Sequence, residues 1–232
     1  MGEEIHVDFN TGSGSSGGSS RGTGGPPRVS GGASGGEFNY QDPVQSFIST
    51  AQSVAFRPVD FFRGMRRQGD FVNPLIFGLI CALVSAVLGG LIGFLFNIGL
   101  FNQGAAGAII GFFVGILRDL IYVLIVLFVG AGIWHLLVML FLRPRHEGYE
   151  ATFRVAAYST VVYLVSWIPI LGWILGLYGI YLGIVGIREV HGTTTGKAAL
   201  VVLIPIAVVA FLVLLIVVAL GVGAAIFFGT QQ

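Results

Sequence analysis

Ala198 to Phe228 reads AALVVLIPIAVVAFLVLLIVVALGVGAAIFF, without one charged side chain. A membrane helix needs roughly 20 predominantly apolar residues, and at about 1.5 Å per residue this run measures ~46 Å against a hydrocarbon core of roughly 30 Å. The stretch belongs in lipid, where it must tilt, bend at Pro205 or protrude. Proline at that position removes a backbone donor and frees a carbonyl one turn earlier, which a neighbouring helix can satisfy and lipid cannot.

Upstream, four more apolar stretches have helical character: Leu75 to Phe96, Ile121 to Leu142, Ala151 to Leu171 and Gly172 to Ile187. With 55% of its residues apolar, 10% charged and a mean hydropathy of +0.88, the chain carries more hydrophobic material than one soluble core can hide. The sequence therefore predicts an all-α integral membrane protein, a five-helix bundle over residues 73–229. The third and fourth spans pair through a turn at Trp167, Pro169, Gly172 and Trp173, and the fourth is short enough to require thinning or burial. Gly107 to Leu117 is apolar but too short to cross alone, and reads as an extension of the second span or a re-entrant shoulder.

Arginine placement supports the count. With a cytoplasmic N-terminus, five spans put Arg57, Arg63, Arg66, Arg67, Arg143, Arg145, Arg154, Arg188 and Lys197 on the cytoplasmic side and leave only Arg118 opposite. The C-terminus is then outside and the plasma membrane is the expected location. A net charge of +1, with no long Lys/Arg block, excludes nucleic acid as a partner.

Residues 1–40 are rich in Gly, Ser and Thr and poor in large apolar side chains, and read as a disordered cytoplasmic tail. They lack the apolar core of a cleavable signal. Residues 41–72 read as short interfacial helices. Asp42-Pro43 opens the first with a cap and a proline, and its apolar face lies on the membrane surface or packs on the bundle. Phe61, Phe62 and Met65 interleave with Arg63, Arg66 and Arg67, as a topology-setting flank or an interface-binding segment would.

Membrane helices associate through close backbone approach, so glycines mark contact lines. Gly89 and Gly93 in the first span, Gly111 and Gly115 before the second, and Gly179 and Gly183 in the fourth are the packing candidates. They serve contacts within one bundle or an oligomer interface.

Chemistry is sparse. His135 is the ionisable group deep in a span, and a relay or ligand role would need a carboxylate or second histidine that no other span offers at depth. A neutral imidazole bonded to a facing Ser or Tyr is expected instead. Gly192 to Lys197 falls short of a phosphate loop in glycine spacing and lacks the Ser/Thr that binds magnesium. His146-Glu147 begins no zinc-protease motif, and no nucleophile sits beside a base. No catalytic residue, metal or cofactor is expected. Tyr158, Ser159, Thr160, Tyr163 and Ser166 form a polar cluster in the third span, read as interhelical glue or as a cavity for a lipid head group.

Several segments taken together are similar to the YIP family of five-span membrane proteins, named for binding Ypt/Rab GTPases. They are Pro58 with Phe61-Phe62, Asn73-Pro74-Leu75, Thr152-Phe153-Arg154 with Ala157-Tyr158-Ser159, Pro169, and Gly186-Ile187-Arg188-Glu189-Val190-His191-Gly192-Thr193-Thr194-Thr195-Gly196-Lys197-Ala198, with the span ending near Pro205. The last block resembles the prokaryotic branch. Where eukaryotic members carry D-L-Y-G-P, Asp70 to Pro74 keeps only the Asp and the Pro. The resemblance implies a non-enzymatic membrane adaptor whose partners are lipid, other membrane proteins or copies of itself, with small-GTPase binding by family analogy alone. It marks Pro74, Arg154, Tyr158, Ser159, Pro169, Arg188, His191, Thr193, Lys197 and Pro205 as partner-facing candidates. A small transporter using the third span and His135 is the alternative.

Overall fold

The computed structural model of the chain describes residues 36–99, 104–142 and 146–229. The expected tail up to residue 35 and the Arg143-Pro144-Arg145 turn lie outside the described residues. Every regular element described is helical. Helices α1 (Pro43–Phe56) and α2 (Pro58–Gly64) precede α3 (Val72–Gly99). Next comes one long rod, in which α4 (Ala105–Ile125) and α5 (Ala131–Phe141) are joined by a π-helical turn at Val126–Gly130. The rod is followed by α6 (Tyr149–Ser159), a 3₁₀ turn at Thr160–Val162 and α7 (Tyr163–Ser166), then α8 (Pro169–His191) and α9 (Thr195–Gly229).

Four of these helices are long and apolar enough to cross a bilayer, beginning at Val72, Ala105, Pro169 and Thr195. Gly107 to Leu117 belongs to the 37-residue rod, which settles its reading as an extension of the second span. Proline at the first turn starts α8 at Pro169, and the helix runs to His191. At 23 residues it is long enough to span, so the expected short fourth helix is corrected. Pro205 sits within the unbroken 35-residue α9.

Residues 149–166 form the remaining helical segment of the five and differ from the rest in kind. They carry Glu150 and Arg154 and are apolar enough only in part, yet Ala151 to Val155 and Ala157 to Val161 are all buried. The segment rises ~27 Å at the usual pitch, close to the thickness of a bilayer core of roughly 30 Å. A helix sheathed by others meets no lipid, which is why its sequence tolerates polar groups.

α6 and α8 run antiparallel, with Thr152 against His191, Val155 against Gly186 and Val162 against Gly179. A methyl group on Gly186 would run into the Val155 side chain, and one on Gly183 would come 2.9 Å from the Trp134 ring. These glycines let two backbones approach. Gly179 and Gly89 make ordinary contacts, at 3.5 Å to Val162 and 3.6 Å to Trp167. Gly93, Gly111 and Gly115 have nothing within 4 Å of an added Cβ, and face a groove of about 280 Å³ between α3 and α4. Trp167 packs its Cβ beside Gly89, while Trp173 is 85% exposed.

α1 and α2 make a hairpin clasped to this bundle. Tyr178 Oη donates to the Ala55 carbonyl at 2.6 Å, Phe62 lies beside Gly186, and Arg63 reaches Glu189 at 3.0 Å. α1 thus follows the bundle as far as Tyr178, and α2 returns past Gly186 to Glu189. Its inner residues Thr50 and Val54 are buried, while Val44 is 70% and Phe56 82% exposed. Packing on the bundle therefore holds for the inner face of α1, and its outer face is exposed.

α8 closes on Gly192, whose φ of 61° is left-handed, and the amides of Gly192 and Thr193 both donate to the Arg188 carbonyl. Replacing Gly192 by Ala should cost about 1–2 kcal/mol through that φ, measured by unfolding in detergent. Gly186→Leu should abolish the monodisperse peak in size-exclusion chromatography, whereas Gly111→Leu should leave it unchanged.

Candidate functional site

The most polar part of the interior forms where residues 37–42, the turn before α3 and α6 meet. Arg154 has no exposed side-chain surface and Glu37 has 1%, and they pair at 2.6 Å. Tyr158 Oη donates to the same Glu37 carboxylate at 3.2 Å, and the Arg66 amide donates to its other oxygen at 2.6 Å. Arg154 also reaches Glu150 one turn earlier at 3.1 Å, Asp70 at 3.6 Å, and the Asp70 carbonyl at 2.7 Å. Phe38, at the end of the stretch expected to be tail, is buried against Phe47 and Phe77. That expectation is corrected at Glu37 and Phe38: once the glycines end, one carboxylate and one ring give the chain something to bury.

A guanidinium out of water requires carboxylates close by, and here three converge on it. Burial pushes the Asp70 carboxyl up, but hydrogen bonds from Asn73 and the nearby Arg154 and Arg66 charges outweigh it, so its pKa is lowered overall. Asp70 accepts the Asn73 amide at 2.8 Å, which caps the first turn of α3, and Pro74 is buried just inside that turn.

A second polar chain links α5, α6 and α8. The Glu147 amide donates to His191 Nδ1 at 3.1 Å, so Nε2 carries the His191 proton and donates to Thr152 Oγ1 at 3.1 Å. Thr152 Oγ1 also shares a hydrogen bond with His135 Nδ1 at 3.1 Å. The side-chain partner of His135 is thus Thr152 rather than the expected Ser or Tyr. The expectation that no second histidine lies near it is corrected, because His191 is one hydroxyl away and the His146 ring is 5.7 Å from that of His135. Among the described residues, no group of three His, Cys, Asp or Glu is placed to hold a metal.

The remaining candidates are dispersed. Ser159 bonds back to Val155, and Ser166 lies 3.4 Å from Ser85. Arg188 pairs with Glu189 at 2.7 Å and donates to Thr195 Oγ1 at 3.3 Å. Thr193 takes part in the α8 cap, Lys197 is exposed on α9, and Pro169 opens α8. The exposed arginines of the α2 region find carboxylates too, Arg63 with Glu189 and Arg67 with Glu147 at 3.3 Å, although such solvated pairs contribute little. Glu37 was absent from the sequence candidates. The shift from glycine to Glu37-Phe38-Asn39-Tyr40 is the signal that marks it.

The family model described as Yip1 domain matches residues 52–228. No curated protein and no solved structure matches the chain.

Arg154→Met, which leaves three carboxylates facing an apolar side chain, should destabilise the fold by about 3–5 kcal/mol. Because the folded Asp70 pKa is depressed, its contribution is present above the ordinary aspartate range and is lost as pH falls through the folded value. Asp70→Asn should flatten that acid limb in detergent unfolding measured across pH.

Proposed function

Because the chain belongs to the Yip1-domain family, we propose that it is a non-enzymatic scaffold of the prokaryotic branch, organising lipid and protein partners in the plasma membrane. It is a multi-pass membrane protein by its apolar helices. The observation that carries the reading is the Glu37–Arg154 anchor. It pins Glu37, where the Gly/Ser-rich sequence ends, to α6.

In this reading residues 1–40 serve as the cytoplasmic tether, 41–72 as the clasp and 73–229 as the membrane domain, with the C-terminus outside. The exposed stripe of α1, Val44, Ile48 and Phe56, together with Lys197 and the Arg188 turn, faces the same partners. GTPase binding has the weakest support. Of the eukaryotic D-L-Y-G-P pattern the chain keeps the Asp that caps α3 and faces Arg154, and the Pro buried in the first turn, which are the two with structural work.

Crosslinking in native membranes followed by purification should recover a reproducible partner or a homo-oligomer, and deleting residues 1–35 should reduce that recovery several-fold. Proton or dye flux in proteoliposomes that His135→Leu abolishes would replace the scaffold with a transporter. Cysteine labelling should find the two chain ends on opposite faces of the membrane.

A further inference from the structure

A cavity of about 440 Å³ lies inside the bundle between the α4–α5 rod, the 3₁₀ turn after α6, α8 and α9. Ligand pockets commonly span ~300–1,000 Å³. Its walls are the two places where regular helix geometry breaks: the π-helical turn at Val126–Gly130 and the 3₁₀ turn at Thr160–Val162. Isolated π turns occur mostly where a helix is adapted to a site. Exposed Val126, Gly176 and Ile206 stand on its rim, and α9 beyond Ile206 is exposed on all sides through Leu220. The opening is therefore lateral, towards the bilayer.

The lining carries no charged side chain, and its polar side chains are the hydroxyls of Ser159, Thr160 and Tyr163 and the Trp134 indole. Ser159 donates its proton to the Val155 carbonyl at 2.7 Å and Thr160 donates to the Ala157 carbonyl at 2.6 Å. The Ser159 oxygen keeps lone pairs for an incoming donor, while Thr160 is also engaged by Cys81 of α3, and Tyr163 on the same wall brings a phenol. A charged head group would find no counter-ion here. A hydroxyl matches the wall in both senses, donating to Ser159 and accepting from Tyr163, while a hydrocarbon chain fills the apolar remainder.

We propose that this cavity is a binding site for a long-chain lipid alcohol, an uncharged amphiphile entering sideways from the membrane between the π turn, α8 and α9. Gly176 supplies a clean test, because a Cβ built there meets nothing within 4 Å and a larger side chain grows into the rim without striking the bundle.

The experiment is photolabelling of the full-length protein in nanodiscs with a diazirine-bearing analogue of hexadecanol, followed by peptide mapping. Label should concentrate on the π turn and on α6–α7, and Gly176→Leu should lower it at least about fivefold while Gly221→Leu, outside the cavity, leaves it unchanged. Excess hexadecanol should compete, whereas hexadecane and palmitate should not. Tyr163→Phe should weaken competition by hexadecanol about fivefold, as loss of one hydrogen bond does. Label spread evenly over the lipid-facing helices, or insensitive to Gly176→Leu, would overturn the site. Equal competition by hexadecane would overturn the alcohol as its ligand.

Discussion

The pairing of Arg154 with Glu37, both out of solvent, is the constraint around which this bundle is arranged. Transferring a guanidinium from water into a low-dielectric interior costs several kcal/mol even after relaxation, and the attraction of one carboxylate seldom does more than offset it. The protein responds by surrounding the charge. Glu150 comes from the same helix, Asp70 from the turn before α3, Glu37 from the segment that leads into α1, and Tyr158 completes the shell of Glu37. Each partner is delivered by a different part of the chain, so the charge also dictates where those parts go. The α1–α2 clasp follows directly, since Phe38, Phe47 and Phe77 pack around the point where Glu37 turns inward.

The same logic separates the helices by environment. α3, the α4–α5 rod, α8 and α9 present apolar surface outward, and most of their long side chains remain exposed in the isolated bundle, as lipid-facing residues should be. Residues 149–166 are enclosed and need not be apolar. Polar groups gather there because neighbours satisfy them. Glu147, His191, Thr152 and His135 form one hydrogen-bonded chain, and among the described residues no buried side-chain nitrogen or oxygen lacks a partner.

How much of this was legible in the sequence differed by the range of the interaction. The helix start at Pro43 and the long apolar rods follow from local chemistry and are found where the residues put them, whereas the fourth helix begins three residues before its expected start, at Pro169, and runs past Ile187 to a left-handed stop at Gly192. Asp42 occupies the cap position of α1 but its side chain makes no cap bond, since Ser46 instead binds the turn carbonyls. Arg154 was readable as a family residue and as part of a basic side. Its burial was not, because the partner lies 117 residues away within a stretch dominated by glycine. His135 and His191 likewise meet only through tertiary packing. Glycine spacing marks candidate contact lines without saying which are used, and here Gly179 and Gly183 are contacted from within the bundle while Gly111 and Gly115 are open.

The enclosed, polar character of residues 149–166 has a consequence for biosynthesis. An arginine within a nascent helix opposes partition from the translocon into lipid, and Arg154 stands in the second turn of α6. Glu37 and Asp70 leave the ribosome well before Arg154, so the neutralising carboxylates already exist when the arginine emerges. The apolar rods that precede it are by then available as a shelter. Order of synthesis and order of charge compensation coincide, and a segment too polar to insert by itself is received by the part of the molecule made first.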